Sequence, residues 1–276
     1  MQGKIIKAVA GFYYVDTDHE GLYACKAKGV FRHESVTPLV GDNVVFSVTD
    51  PVDMEGNVTE ILNRRNLLVR PASANVDQAL VVFAAKHPDP NFNLLDRFLV
   101  MMQNQAIHTI ICFNKIDIVN EHDILKLKNI YELCGHEVLF ASVRENEGIE
   151  QIREILAGKT TVLAGPSGVG KSSLVNLLAP EANMETGELS AKIARGKQTT
   201  RHTELVRIAP HTYICDTPGF TSLYVRDISK EDLKDYFPEF DEYACNCRQD
   251  RQCQRRGKRC GRQGQDTPRK GQRPQI

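Results

Sequence analysis

The chain has 276 residues, 35 basic and 35 acidic, with 41% hydrophobic and 25% charged side chains, which excludes a disordered or fibrous protein and leaves room for two or three domains. No run approaches the roughly 20 apolar residues of a membrane helix, and the opening MQGKIIKAVAGFYYVDTDHEG has no signal pattern, so a soluble, cytoplasmic protein with no membrane attachment is expected. The neutral sum hides an asymmetry: ten basic residues against Asp250 and Asp266 lie from Cys245 onward, leaving 25 basic and 33 acidic residues before it, and such a basic tail either neutralises nucleic-acid phosphates or is a solvated end.

Residues 1–70 read as short strands, IIKAVAGFYYV, GLYACKA, VFRHE, NVVFSVTD and GNVTEILN, separated by Asp- and Gly-rich turns. Strands at this spacing predict a small β-barrel, with an OB-type barrel as one possibility. Phe12, Tyr13, Tyr14 and Phe31 are the residues that would stack on bases if the barrel binds RNA, although alternation between core and surface is the better account of them.

Pro71 marks a change of rhythm. The compact apolar runs DQALVVFAA, HTIICFN, EVLFAS and TTVLAG suit buried parallel strands, and LLDRFLVMMQNQ, DILKLKNIYELCG and GIEQIREILAG have helical spacing between them. TELVRIA and TYICD add two strands, and DISKEDLKDYFPEF reads as a helix leading out. The expected fold is therefore α/β, with a barrel over 1–70, a doubly wound domain over 71–225 and a small Cys-containing region over 226–276.

Gly165-Pro166-Ser167-Gly168-Val169-Gly170-Lys171-Ser172, followed by Ser173, stands between a strand and an apolar helix. Its glycines let backbone N–H groups wrap phosphates, Lys171 reaches the terminal phosphates and Ser172 ligates Mg²⁺. Asn114-Lys115-Ile116-Asp117 begins the loop after HTIICF, where the Asp117 carboxylate can accept both N1–H and N2–H of guanine, a pairing adenine lacks. Ser142, after EVLFA, is placed to offer a backbone N–H to the guanine oxygen. Asp216 in Asp216-Thr217-Pro218-Gly219 suits Mg²⁺, and Gly219 suits a γ-phosphate contact. The polar segment GELSAKIARGKQTTRH supplies Thr200, with Thr199 as its neighbour, to complete the Mg²⁺ shell when GTP is present.

Base recognition here precedes the phosphate loop, the reverse of the ordinary GTPase order, and a circular permutation reconciles the two. With a barrel followed by NKID, GPSGVGKSS, GKQTTRH and DTPGF in that order, the chain resembles the circularly permuted GTPases called RsgA, which act in small-subunit assembly. The resemblance implies an OB barrel, GTP hydrolysis stimulated by the small ribosomal subunit, contact with rRNA and a C-terminal zinc-binding domain, and a monomer is expected. Where the family usually has a His before the paired threonines, this chain has Gln198, and His202 is a second candidate to orient the attacking water; Phe220 follows Gly219 where Ras-like enzymes have Gln. Cys245, Cys247, Cys253 and Cys260 are the candidate zinc ligands, with Arg255 in the place of the family's His and Cys245 and Cys247 closer than zinc sites usually allow. Cys25, Cys112, Cys134 and Cys215 sit in apolar contexts that favour packing. Two rival readings are a general P-loop ATPase or kinase and an RNA-binding assembly factor that uses GTP only as a switch. A water-orienting Gln198 acts in the transition state, so Gln198→Ala should lower subunit-stimulated turnover before it weakens GTP affinity, measured by single-turnover hydrolysis beside equilibrium titration.

Overall fold

Inward-facing apolar residues at every second position close the amino-terminal strands on themselves. The computed structural model describes residues 1–17, 20–27, 31, 37–69, 72–132, 134–180, 203–216, 228, 229, 231–237 and 240. Strands β1 (Gln2–Val9), β2 (Phe12–Thr17), β3 (Gly21–Ala27), β4 (Asn43–Asp50) and β5 (Glu55–Ile61) form a closed barrel in the order β1-β2-β3-β5-β4, in which only β3 and β5 run parallel. Ile5, Val15, Tyr23, Cys25, Val44, Phe46 and Val58 fill it, and closure removes the free strand edges.

The number of strands is as expected, but their membership differs. IIKAVAGFYYV splits into β1 and β2 because Ala10 and Gly11 adopt φ of 52° and 86° and reverse the chain. Phe31 of VFRHE is a buried core residue, and residues 32–36 lie outside the described ones. Of the aromatics singled out for stacking, Tyr13 packs against the core, whereas Phe12 carries the Lys26 ammonium 5.0 Å from its ring centroid.

A hairpin of β6 (Leu67–Val69) and β7 (Ala72–Ala74) follows, and the barrel is pinned to it. Asp42 is fully buried and takes Arg64 Nε and Nη2, each at 2.7 Å, together with the Leu39 N–H at 2.7 Å. Asn75 Nδ2 donates to Gly41 O at 3.0 Å and Ser73 Oγ to Val40 O at 3.3 Å.

Beyond the hairpin lies a six-stranded sheet made of β8 (Gln78–Ala84), β9 (His108–Asn114), β10 (Glu137–Ala141), β11 (Thr160–Ala164), β12 (Leu205–Ala209) and β13 (Thr212–Asp216), in the order β10-β9-β8-β11-β13-β12. All neighbours are parallel except β12 and β13. Every residue of β8 is buried, as a central strand covered on both faces requires. Ala79, Val81 and Phe83 face one layer, with Leu95, Phe98, Leu99 and Met102 of α1 (Phe92–Asn104) and Leu127 and Tyr131 of α2 (Glu121–Glu132). Leu80, Val82 and Ala84 face the other, with Ile149, Ile152 and Leu156 of α3 (Ile149–Leu156) and Leu174, Val175 and Leu178 of α4 (Lys171–Leu178). Arg153 of α3 donates to Leu177 O at 2.8 Å and Leu178 O at 3.3 Å, satisfying carbonyls at the carboxyl end of α4.

Where DISKEDLKDYFPEF is expected to be a helix, its described residues 231–237 hold a 3₁₀ turn, Leu233–Tyr236, which stops at Phe237. Pro238 disfavours helical backbone at the residue before it, and Phe237 is extended, with ψ of 89°. Tyr236 OH donates to Asn104 Oδ1 at 2.8 Å, tying this turn to the end of α1. Cys25, Cys112 and Cys215 are buried, and burial pushes the Cys112 thiol up to about 12, so it packs and does not react. Among the described residues no helix is long and apolar enough to cross a membrane.

The Arg64 guanidinium is raised above its ordinary range by its hydrogen bonds to Asp42. Arg64→Ala strands that buried carboxylate and should cost about 3 kcal/mol of stability, read as a lowered urea midpoint with an unchanged slope.

Candidate functional site

The sheet reverses its winding between β8 and β11. From β8 the chain builds outward through β9 to β10, then returns to lay β11 on the other side of β8, with α1 and α2 on one face and α3 and α4 on the opposite one. Crevices at the carboxyl ends of strands at such a reversal are where α/β folds bind ligands. The loops after β8, β9, β10 and β11 open there and β13 ends there, so the tertiary structure gathers Asn114, Asp117, Ser142, the phosphate loop and the backbone of Asp216 on one edge.

The phosphate loop leaves β11 at Gly165, whose φ is 141°, and a Cβ there would stand 2.0 Å from Val82 O. Gly170, with φ of 97°, meets Asn114, and a Cβ would lie 2.4 Å from Nδ2. Both glycines are thus required by close approach as well as by backbone angle. Val169 is buried while Ser167 and Gly168 are exposed, so the loop is anchored from below and open above. Lys171 opens α4 and is 9% exposed; its Nζ donates to Gly165 O at 2.8 Å and Pro166 O at 2.6 Å. A buried ammonium, a helix amino end and successive loop N–H groups make an anion cradle. Ser172 and Ser173 follow in the first turn of α4, both half-buried.

Asn114 sits at the end of β9, 3% exposed, with its carboxamide committed at both ends. Nδ2 donates to Val169 O in the phosphate loop at 2.8 Å, and Oδ1 accepts from the Val143 N–H at 3.1 Å. Lys115, in the left-handed region with φ of 65°, sends Nζ to Gly168 O at 2.7 Å and to His87 O. Asp117 Oδ1 accepts from Ser142 Oγ at 2.7 Å.

Ser142 differs from expectation. Its N–H, expected to meet a guanine oxygen, instead donates to Glu147 O at 3.0 Å, because residues 142 and 147 form a small antiparallel bridge. The hydroxyl carries its role: it donates to Asp117 and accepts from the Glu145 N–H at 3.1 Å, holding the carboxylate in place. The His87 carbonyl and the bracing function of Lys115 were not readable from the chain, since His87 lies 28 positions from Lys115.

Asp216 ends β13, in register with Leu163 of the neighbouring β11, which places it beside the root of the phosphate loop. Gln198, Thr199, Thr200, His202, Gly219, Cys245, Cys247, Cys253 and Cys260 lie outside the described residues. Among the described residues no cluster of three or more His, Cys, Asp or Glu side chains is arranged to hold a metal.

The RsgA GTPase family profile matches residues 61–226, and the RsgA N-terminal domain profile matches residues 2–54. The chain belongs to the RsgA family of GTPases. It is 53% identical over 258 residues to the small ribosomal subunit biogenesis GTPase RsgA of Agathobacter rectalis, covering 90% of this chain and 85% of that one. The protein of the same name from Alkaliphilus metalliredigens is 48% identical over 247 residues, covering 90% and 84%. Among solved structures, YjeQ from Thermotoga maritima superposes with a TM-score of 0.72 at 32% identity, covering 87% of this chain and 82% of that one. YloQ, described as a circularly permuted GTPase, gives 0.71 at 39% identity, covering 90% and 81%. The RsgA assignment accounts for the inverted motif order, because the permuted chain still delivers the same loops to the same sheet edge.

Alanine at Gly168 adds only the left-handed backbone cost, about 1–2 kcal/mol, since no atom lies within 4 Å of its Cβ. Gly170→Ala must also displace Asn114 and should weaken GTP binding further than Gly168→Ala, measured by titration of a fluorescent GTP analogue. Wild-type affinity in the Gly170 variant would remove Asn114 from the site.

Proposed function

We propose that this chain hydrolyses GTP to GDP and phosphate during late assembly of the small ribosomal subunit, docking on the subunit and its rRNA. The observation that carries the reading is the Asn114 carboxamide, which touches Val169 O of the phosphate loop and the Val143 N–H of the base-side loop at once. One buried group sets the distance between a phosphate cradle and a carboxylate aimed by Ser142, an arrangement a guanine nucleotide spans and a polar turn has no reason to keep. The general ATPase or kinase reading leaves the Ser142–Asp117 hydrogen bond and the buried Asn114 carboxamide without a purpose.

Lys171 exchanges its loop carbonyls for phosphate oxygens and stabilises the charge that develops in transfer. Ser172, Asp216 and Thr200 are the residues that would hold Mg²⁺, which supplies charge neutralisation at the phosphates when bound. Gln198, with His202 as the second candidate, orients the attacking water, and Gly219 contacts the γ-phosphate. The basic stretch after Cys245 supplies cations for rRNA phosphates. Four cysteines provide the right number and chemistry of donors for zinc, and elemental analysis of the full chain tests that set. The relatives named above are small-subunit biogenesis GTPases, which supports a factor of small-subunit assembly; with it goes a monomeric cytoplasmic chain in which the barrel, residues 1–70, and the region 226–276 flank a GTPase domain over 71–225.

Base identity gives the decisive test. In Asp117→Asn, Ser142 can still hold the side-chain oxygen while the amide turns a donor toward the base, so the N2–H partner of guanine is lost and one for the 2-oxo group of xanthine is gained. GTP affinity should fall by about 1–3 kcal/mol, with preference moving to XTP in competition titration. Unchanged GTP affinity, or equal ATP binding by the parent, would overturn the guanine assignment.

A further inference from the structure

The barrel grips the nucleotide-binding sheet through a buried carboxylate. Asp16 of β2 is 7% exposed and accepts from Arg207 Nη1 at 2.9 and 3.2 Å and from the Tyr213 hydroxyl at 2.7 Å. Arg207 on β12 and Tyr213 on β13 are register partners across the antiparallel pair, so one side chain of the barrel holds both strands on the same rung. The contact continues beside it. Lys7 of β1 forms an isolated antiparallel bridge with Glu204, and their side chains pair at 3.0 Å. Lys4, opposite Asp16 on β1, sets its ammonium 5.7 Å from the centroid of the Tyr213 ring.

Along the chain, the residues assigned to hydrolysis flank these two strands. β13 ends at Asp216, and β12 follows directly on the segment carrying Gln198, Thr200 and His202. The two contacts differ in weight. Lys7 and Glu204 are 39% and 48% exposed, where water screens the pair and its net worth is small. The Asp16 carboxylate is buried and Arg207 and Tyr213 donate to it, so the barrel cannot shift against β12 and β13 without leaving a buried polar group unpaired. A packed, polar-pinned junction of this kind moves as a unit, and a displacement on one side is delivered to the other.

We propose that Asp16 is a positioning residue for subunit-stimulated GTP hydrolysis: a barrel fixed on the small subunit sets β12 and β13 through Asp16, and with them the strand end that carries Asp216. The inference rests on the docking role given above to the barrel. Linkage makes it reciprocal, so GTP in the site biases the pose of the barrel and hence subunit affinity.

The test uses the full chain with purified small subunits and four readouts: GTP affinity, intrinsic turnover, stimulated kcat at saturating subunit, and the ratio of subunit affinities with a GTP analogue and with GDP. In Asp16→Ala, GTP affinity and intrinsic turnover should stay within about twofold, while stimulated kcat and the affinity ratio fall about tenfold, within the range of ordinary coupling energies. Tyr213→Phe removes one hydroxyl and is the milder variant should Asp16→Ala fail to fold; it should shift the same two readouts in the same direction by less. Lys7→Ala should leave all four unchanged. Equal losses of intrinsic and stimulated turnover in Tyr213→Phe would reduce the junction to a structural contact and overturn the proposal, as would an unchanged stimulated kcat in folded Asp16→Ala. A parent chain that subunits do not stimulate refutes the docking reading itself, and the parent measurement separates that result from failure of the Asp16 variants alone.

Discussion

Asn114 is buried between three loops that must stay in register. Its amide nitrogen is spent on Val169 O and its oxygen on the Val143 N–H, so neither loop can move without leaving a buried polar atom unpaired, a penalty of about 1–3 kcal/mol. Gly170 has to be glycine because that carboxamide occupies the space a Cβ would need. Lys115 braces the same loop from outside through Gly168 O. The phosphate loop therefore inherits its shape from the base-recognition strand, and β9 and β11, which are separated in the sheet by β8, act as one rigid ligand-binding edge.

The permutation alters what that edge is connected to. In this chain β12 and β13, which lead to and from the residues assigned to water and metal, are also the strands on which the barrel rests through Asp16, Arg207 and Tyr213. Beyond β13 the chain passes to the 3₁₀ turn that docks on the end of α1 through Tyr236 and Asn104. Both flanking parts thus meet the nucleotide domain on elements that move with it or lie next to it, an economical basis for linking nucleotide state to docking on a large partner.

The barrel itself is held by a different kind of interaction. Asp42 and Arg64 form a bidentate pair with the carboxylate fully enclosed, reinforced by Asn75 and Ser73. Such a pair adds little net stability over apolar packing, but it tolerates one geometry only. Its effect is to tie residues 39–42, next to β4 of the barrel, to residues 64, 73 and 75 around the hairpin.

Much of this was legible in the chain. Period-two runs and all-apolar runs announced the barrel and the parallel sheet, because a strand's burial on one face or two is written directly in its side chains. Glycine spacing before Lys171 and the Asn114–Asp117 tetrapeptide announced the nucleotide, because phosphate wrapping and guanine pairing demand those residue types locally. Hidden from the sequence were relations between distant positions: the turn at Ala10 and Gly11 that makes two strands of one run, the bridge that takes the Ser142 N–H and turns its hydroxyl to Asp117, and the Asp16 contact across 191 positions to Arg207. Local chemistry marked which loops are candidates for nucleotide binding. Only the tertiary structure decided how those loops are held and what pulls on them, since a buried hydrogen bond depends on where two backbones meet and not on which residues adjoin it in the chain.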